Sequence, residues 1–377
     1  MNAPARSAFA VLTPPGRGGI AVVRCVGPAA RHAIATCFRP ARKKVSGTFS
    51  AGALAYGHIL DAQGLPLDEI ILYRVGKGAF EVNCHGGPAA VRAVSDRLAE
   101  LGLEEVDPDT LLALEGVPRL EREARAALRS AWTPLAARIL LDQLNGALTS
   151  ALAEVQAQVE AGRGAEAAGL LDALLGRWRT SGRFLAEPPR LVIAGRPNAG
   201  KSTLLNRLAG SERAVTSAIP GTTRDYIESP AALDGVPVLV VDTAGLRGAA
   251  GGMEREGIDR ARREIDRADL VVYLVDATAG LTGDDAETLR RLGAKGLAVW
   301  NKADAGPAPA GALAISALRG DGCAGLVAAI LERLGWHAPG PGEAVPFLRE
   351  HAERLESARA AAPSCVEEAL AAIQSLL

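Results

Sequence analysis

The chain has 377 residues, enough for two or three domains of roughly 100–200 residues each. Lysine and arginine total 42 against 43 aspartate and glutamate, so the basic surplus of a free-standing nucleic-acid binder is missing, and any nucleic acid is met through a local patch or a partner. With 48% hydrophobic and 23% charged residues the composition excludes disorder and fibrous repeats, and no apolar run approaches the ~20 residues of a bilayer span.

The opening Met1–Arg6 has no apolar signal core behind it, and the five cysteines (Cys25, Cys37, Cys84, Cys323, Cys365) are scattered with no CxxC pair. Both features predict reduced thiols in a cytoplasmic protein with no membrane attachment. From Ser7 to about Leu101 short β-rich runs recur at Phe9–Leu12, Ile20–Val26, Tyr56–Leu60, Glu69–Val75 and Ala79–Asn83. Turn signals such as Pro14-Pro15-Gly16 separate them, and Pro88–Leu101 reads as one amphipathic helix. An α+β domain over residues 1–105 is expected.

Residues 106–187 change to long helices. Leu135, Ile139, Leu140, Leu144, Leu148, Leu152 and Val155 recur at helical spacing, Gly162-Arg163-Gly164 breaks the run, and Ala167–Trp178 resumes it. Glu187-Pro188-Pro189 marks a boundary. Over 188–337 apolar strands alternate with helices: Leu191–Ala194, Ser202–Leu208, Val238–Val241, Met253–Ala268, Leu270–Val275, Asp284–Leu292, Leu297–Trp300 and Ala314–Ser316. That alternation predicts a doubly wound α/β sheet. Pro339–Pro346 reads as a Pro/Gly linker within the last segment, 338–377, which is otherwise helical with a break at Pro363. The mixed-charge run Arg255–Arg267, and the basic clusters Arg42-Lys43-Lys44 and Arg119–Arg129, read as solvated faces.

The strongest motif is Gly195-Arg196-Pro197-Asn198-Ala199-Gly200-Lys201-Ser202, which follows a strand and opens a helix. This Walker A spacing wraps backbone N–H groups around phosphates at a helix N-terminus. Asn198, Ala199, Gly200, Lys201, Ser202 and Thr203 are therefore nucleotide-binding candidates; Lys201 supplies a point charge and Ser202 an oxygen for Mg²⁺. Asn301-Lys302-Ala303-Asp304 follows a later strand. The Asp304 carboxylate can accept from both N1–H and the 2-amino group of guanine, a donor pair adenine lacks. Ser316 and Ala317 would line the base. Between them lie two switch candidates, Gly221-Thr222-Thr223-Arg224-Asp225 and Asp242-Thr243-Ala244-Gly245, with Thr223 a further Mg²⁺ ligand and the Gly245 N–H a γ-phosphate sensor. Four motifs in this order mean a GTPase.

Ras-like GTPases place a glutamine just after the second switch motif, whereas Leu246 stands here and can neither orient nor deprotonate water. Asn198 and the Ser217–Gly221 segment suggest a monovalent cation beside the phosphates, supplying charge in place of an arginine finger. Glu254 is the candidate for orienting the water; the alternative is an ordinary helix N-terminal glutamate favoured by the dipole.

These residues resemble the GTPases that include Era, Der and MnmE/TrmE. Asp242–Arg247 followed by Met253-Glu254-Arg255-Glu256-Gly257-Ile258 resembles the switch region of the MnmE/TrmE tRNA modification GTPase family. Thr13–Arg24 resembles the opening of that family's N-terminal domain, Glu81–Pro88 its second motif, and Gln143-Leu144-Asn145-Gly146 its helical-domain motif. The resemblance implies a P-loop GTPase domain inserted in an all-α helical domain and preceded by the α+β domain. It also implies Glu254 as the catalytic residue, and K⁺ held by Asn198, Ser217, Ile219 and Thr222. A homodimer is implied, with an FAD-dependent partner, action on the wobble uridine of tRNA, and a 5-formyl-tetrahydrofolate site at Arg24 and Glu81. The residues alone leave Arg24 equally open as a surface charge and Glu81 as a satisfied edge residue.

The sequence departs from the family pattern at Asp107–Gly116, where a PGEF-type segment and its folate-contacting lysine have no counterpart. At the C-terminus, Cys365 precedes Val366-Glu367-Glu368 rather than an Ile-Gly-Lys ending and is read as a buried helix cysteine. Two other readings follow: a paralogue acting as a GTPase switch without one-carbon chemistry, and a ribosome-assembly GTPase. Against the latter stand the lack of a GxxG KH segment and of a second G domain.

Overall fold

The computed structural model describes residues 6–14, 16, 18–41, 52–76, 78–211, 228–242, 262–362 and 364–377. They fall into two compact units, Met1–Arg122 and Glu123–Leu377. Among the described residues no helix is long and apolar enough to cross a membrane.

The first unit is built on a seven-stranded sheet. Its strands are β1 (Ala8–Val11), β2 (Ile20–Val26), β3 (Phe38–Pro40), β4 (Leu54–Leu60), β5 (Pro66–Gly76), β6 (Ala79–His85) and β7 (Glu104–Glu105), in the order β3-β4-β5-β6-β2-β1-β7. Alternation along β1 and β2 sets the two faces. Phe9, Ala21, Val23 and Cys25 join Val82 and Leu72 under α1 (Ala30–Cys37) and α2 (Pro88–Glu100), which contribute Ile34, Val94 and Leu98. Ala8 and Ala10 point the other way and meet Leu111 of α3 (Pro108–Leu114). The expected strands are present: β4, β5 and β6 are longer than expected where the pairing continues, β1 begins and ends one residue earlier, and β2 keeps its expected ends. Three short elements were not anticipated: α1, β3 and β7. Helix α1 has no side-chain N-cap, no acidic residue in its first turn and no basic residue in its last, so it carries no start or stop signal.

In the second unit α4 (Arg119–Arg129) crosses the boundary and α5 (Pro134–Leu144), α6 (Ala147–Glu160) and α7 (Gly164–Arg177) follow. The apolar series from Leu135 to Val155 is two helices, because the chain turns at Asn145-Gly146. A π turn over Trp178–Gly182 and the short α8 (Arg183–Ala186) lead into the sheet. Its strands are β8 (Arg190–Gly195), β9 (Glu228–Leu233), β10 (Val236–Asp242), β11 (Leu270–Asp276) and β12 (Gly296–Asn301), in the order β12-β11-β8-β10-β9. All neighbours are parallel except β9 and β10. The sheet is therefore mixed, and the unexpected β9 is an edge strand that tolerates Pro230.

Both faces of this sheet are covered, as a doubly wound arrangement requires. On one, Ile193, Val238 and Val272 pack with Leu204 and Leu208 of α9 (Lys201–Ser211) and with Leu326 and Ile330 of α11 (Cys323–Leu334). On the other, Val192, Val271 and Tyr273 meet Leu289 of α10 (Gly283–Leu292) and Ile265. The expected helix Met253–Ala268 is described only over 262–267. The expected strand Ala314–Ser316 is reduced to a single bridge between Trp300 and Ala314, because Ser316 is drawn into a turn by hydrogen bonds with Gly320 and Asp321.

After the sheet come α12 (Arg349–Ala361) and α13 (Val366–Gln374). Helix α7 packs on α12, and α6 on α13. The stretch expected as a linker is partly interior: Ala344, Val345 and Pro346 are buried. The buried Gln143 amide donates to Glu343 O and accepts from Val345 N, both at 3.0 Å. Removing one partner of such a buried amide costs about 1–3 kcal/mol. Cys365 corrects its expectation: it is half-buried and sits at the N-cap of α13, ahead of the helix rather than inside it.

Candidate functional site

The phosphate loop runs from the end of β8 into α9. Asn198 takes φ +65°, a conformation asparagine tolerates better than most residues. Gly200 takes φ +93°, and a Cβ there would run into the Asn301 side-chain amide, so only glycine lets the two segments meet. Lys201 donates from Nζ to Gly195 O at 3.0 Å and Arg196 O at 2.8 Å, which places its charge over the loop. Lys201 opens α9, and Ser202 and Thr203 follow it in the exposed first turn. A helix N-terminus offers backbone N–H donors and the positive end of the dipole, the arrangement that binds phosphate.

Asn301 ties this loop to the rest. Buried at the end of β12, it donates from Nδ2 to Ala199 O at 2.8 Å, and its Oδ1 accepts from Ala317 N at 2.9 Å. Three motifs separated in sequence thus share one side chain. Lys302, at φ +65°, donates to Asp276 Oδ2 at 2.6 Å. Burial pushes the Asp276 carboxyl up, but the Lys302 bond and the Thr278 donors outweigh it and hold its pKa at about 2. Asp276 was missed from sequence, although its position ending an apolar strand, as Asp242 ends β10, was a usable signal. The Ser316 hydroxyl beside Asp304, helped by a backbone N–H, holds that carboxyl below its usual range, and Arg319 Nε lies 3.8 Å away. An ionised carboxylate next to the buried Ser316–Ala317 turn presents acceptors only, as a guanine edge requires.

Asp242 ends β10, and the remaining switch candidates lie outside the described residues. These are Gly221, Thr222, Thr223, Arg224, Asp225, Thr243, Ala244 and Gly245, together with Ser217, Ile219, Leu246, Glu254 and the cluster Arg42-Lys43-Lys44. A cleft of about 740 Å³ lined by Trp178, Arg183, Arg190 and Arg349 lies by the first residue of β8, away from the phosphate loop that follows its last. Ligands of open α/β sheets bind at the carboxyl ends of strands, so the cleft is not the nucleotide site.

In the N-terminal unit the two segments singled out from sequence come together. Gly18 N donates to Gly86 O and Gly86 N to Gly19 O. Arg24 on β2 and Glu81 on β6 are register partners. Arg24 is 3.2 Å from Glu81 Oε1 and 2.7 Å from Glu115 Oε1, a residue that sequence reasoning passed over. One guanidinium thus faces two carboxylates, and Glu115 Oε2 is buried with no hydrogen-bond partner. Two carboxylates already neutralise Arg24, so the anionic tail of a folate would meet net negative charge there. The residues as they stand do not fit it.

A Walker loop at the end of a central parallel strand, joined through one asparagine to the base-reading loop, is the arrangement of a P-loop GTPase, and the chain is a GTP hydrolase. The family model described as 50S ribosome-binding GTPase matches residues 190–302, and that described as GTP-binding protein TrmE N-terminus matches residues 7–109. The tRNA modification GTPase MnmE of Synechococcus sp. (strain CC9605) is 36% identical over 375 residues, covering 87% of this chain and 81% of its own. That of Aromatoleum aromaticum is 37% identical over 378 residues, covering 88% and 82%. The chain belongs to the family of the tRNA modification GTPase MnmE.

Proposed function

We propose that the chain is a potassium-stimulated GTP hydrolase of the MnmE type. In this reading it acts as a cytoplasmic homodimer in C5 modification of the wobble uridine of tRNA, with an FAD-dependent partner protein. The observation that most supports the nucleotide part is the Asn301 bridge between Ala199 and Ala317. The tRNA part is supported by relatives named for tRNA modification.

Asn198 to Thr203 bind the phosphates, and Asn301, Lys302, Asp304, Ser316 and Ala317 the base. Gly221–Asp225 and Asp242–Gly245 respond to the γ-phosphate. Ser202 and Thr223 would hold Mg²⁺, and Asn198, Ser217, Ile219 and Thr222 would hold K⁺; both cations supply positive charge to the phosphates. Hydroxyl, amide and carbonyl oxygens suit both ions. Glu254 orients the attacking water. The sheet domain, 188–337, is an insertion in a helical domain made of 106–187 and 338–377, after an N-terminal domain over 1–105. The packing of α7 on α12 and α6 on α13 supports this, because it joins segments from before and after the sheet.

Steady-state turnover in KCl and NaCl tests the mechanism. Potassium should raise turnover over sodium. Glu254→Ala should leave GTP affinity intact while slowing hydrolysis by on the order of 10²-fold or more. Indifference to the cation would remove the K⁺ ligand set, and a collapse of GTP affinity would make Glu254 structural. The Arg24–Glu81–Glu115 cluster favours a second reading, a GTPase switch without one-carbon chemistry, in which wobble-uridine content does not depend on this chain.

A further inference from the structure

Arg207 lies in α9, the helix opened by the phosphate loop, and the GTPase motifs assign it no role. Its half-buried guanidinium crosses to the turn after β12, donating from Nε to Ala317 O at 2.6 Å and from Nη2 to Leu318 O at 2.7 Å. Charged donors make bonds about twice as strong as neutral ones. Gly320 lies against the third nitrogen: at φ +96°, a Cβ there would stand 2.8 Å from Arg207 Nη1, so the approach depends on glycine. The turn is also closed on itself, with Gly320 N donating to Ser316 O, Ser316 N to Asp321 O and Arg319 N to Ser316 Oγ.

We propose that Arg207 is a positioning residue that fixes the guanine-binding turn to the phosphate-binding helix, and so sets how tightly and how long the nucleotide is held. Asn301 joins Ala317 N–H to the phosphate loop. Arg207 joins the carbonyls of Ala317 and Leu318 to the body of the helix. With both ties made, the turn cannot swing away from the base without breaking charge-assisted bonds. Without Arg207, the Ala317–Leu318 carbonyls lose their tie to the helix, and the turn is held by Asn301, the Asp304 side chain and the backbone bonds of Ile315. Because Arg207 bonds the base turn and not the phosphate loop, its loss weakens binding of ground and transition states alike, a KM effect rather than a kcat effect. The inference rests on Ser316–Ala317 being the guanine-binding turn.

The test combines release of a fluorescent GDP analogue by stopped flow with steady-state GTP turnover, on active-site-titrated wild type, Arg207→Ala, Arg207→Lys and Asp304→Asn. Arg207→Ala is expected to speed release and raise KM by about tenfold while kcat at saturation is kept. Arg207→Lys, with one ammonium able to reach one carbonyl, recovers part of the loss. If Asp304→Asn changes base preference while Arg207→Ala leaves release and KM at wild-type values, the inference is overturned and the site reading stands. A fall in kcat with KM unchanged also overturns it. If Asp304→Asn leaves base preference unaltered, the site reading itself fails.

Discussion

Replacing Lys201 by alanine is expected to lower kcat/KM for GTP by on the order of 10³-fold or more, with the fold retained. Two losses combine. The ammonium is a point charge placed where negative charge accumulates on the β- and γ-phosphates. The same amine holds the loop, donating to Gly195 O and Arg196 O, so its removal loosens the strand–helix turn whose N–H groups face the phosphates. Stability should change little, because Lys201 is half-buried at a helix start rather than in the core. Single-turnover hydrolysis with a thermal melt separates the two effects. Retained full turnover would remove the P-loop assignment.

Asp304→Asn is expected to weaken GTP by about 10²–10³-fold and to transfer preference to xanthosine triphosphate. A carboxylate accepts at both oxygens, matching the N1–H and 2-amino donors of guanine. An amide keeps one acceptor and sets a donor against a donor, leaving a polar group unpaired at the base. Xanthine carries an oxygen in place of the 2-amino group and accepts from that new donor. The Ser316 hydroxyl holds the Asp304 carboxyl below its usual range, so the wild-type residue stays ionised at neutral pH and the comparison is between a charge and an amide. Competition between GTP and xanthosine triphosphate for the labelled site measures the change. An unchanged ratio would mean that Asp304 does not read the base.

What the chain revealed before its structure followed strength of local pattern. β2 runs over Ile20–Val26 and α2 starts at Pro88 as expected, because one is a short apolar run rich in β-branched residues and the other begins with proline at its first helical position. The Walker loop and the Asn301–Asp304 loop were legible because their chemistry is concentrated in a few contiguous residues. Elements without local signals were not: uncapped α1, edge strand β9 with its proline, and β7, two residues that exist only by pairing with β1. The side chains that join distant segments were equally silent. Arg207, Asp276 and Glu115 each act through a partner more than 20 residues away, and no spacing rule brings such partners together.

The net charge near neutrality takes on a different meaning beside these sites. In the proposed function, tRNA is met with a partner protein and no basic surface of the chain's own is needed; a guanidinium neutralised by Glu81 and Glu115 adds none. The measurement that bears most directly on this account is the nucleoside content of tRNA from cells lacking the chain. Digestion and mass spectrometry would quantify C5-modified wobble uridine after complementation with wild type or with Lys201→Ala. The account predicts that the modified nucleoside disappears with the chain and returns with the wild type but not with Lys201→Ala. Unchanged modified wobble uridine in the deletion strain would contradict it.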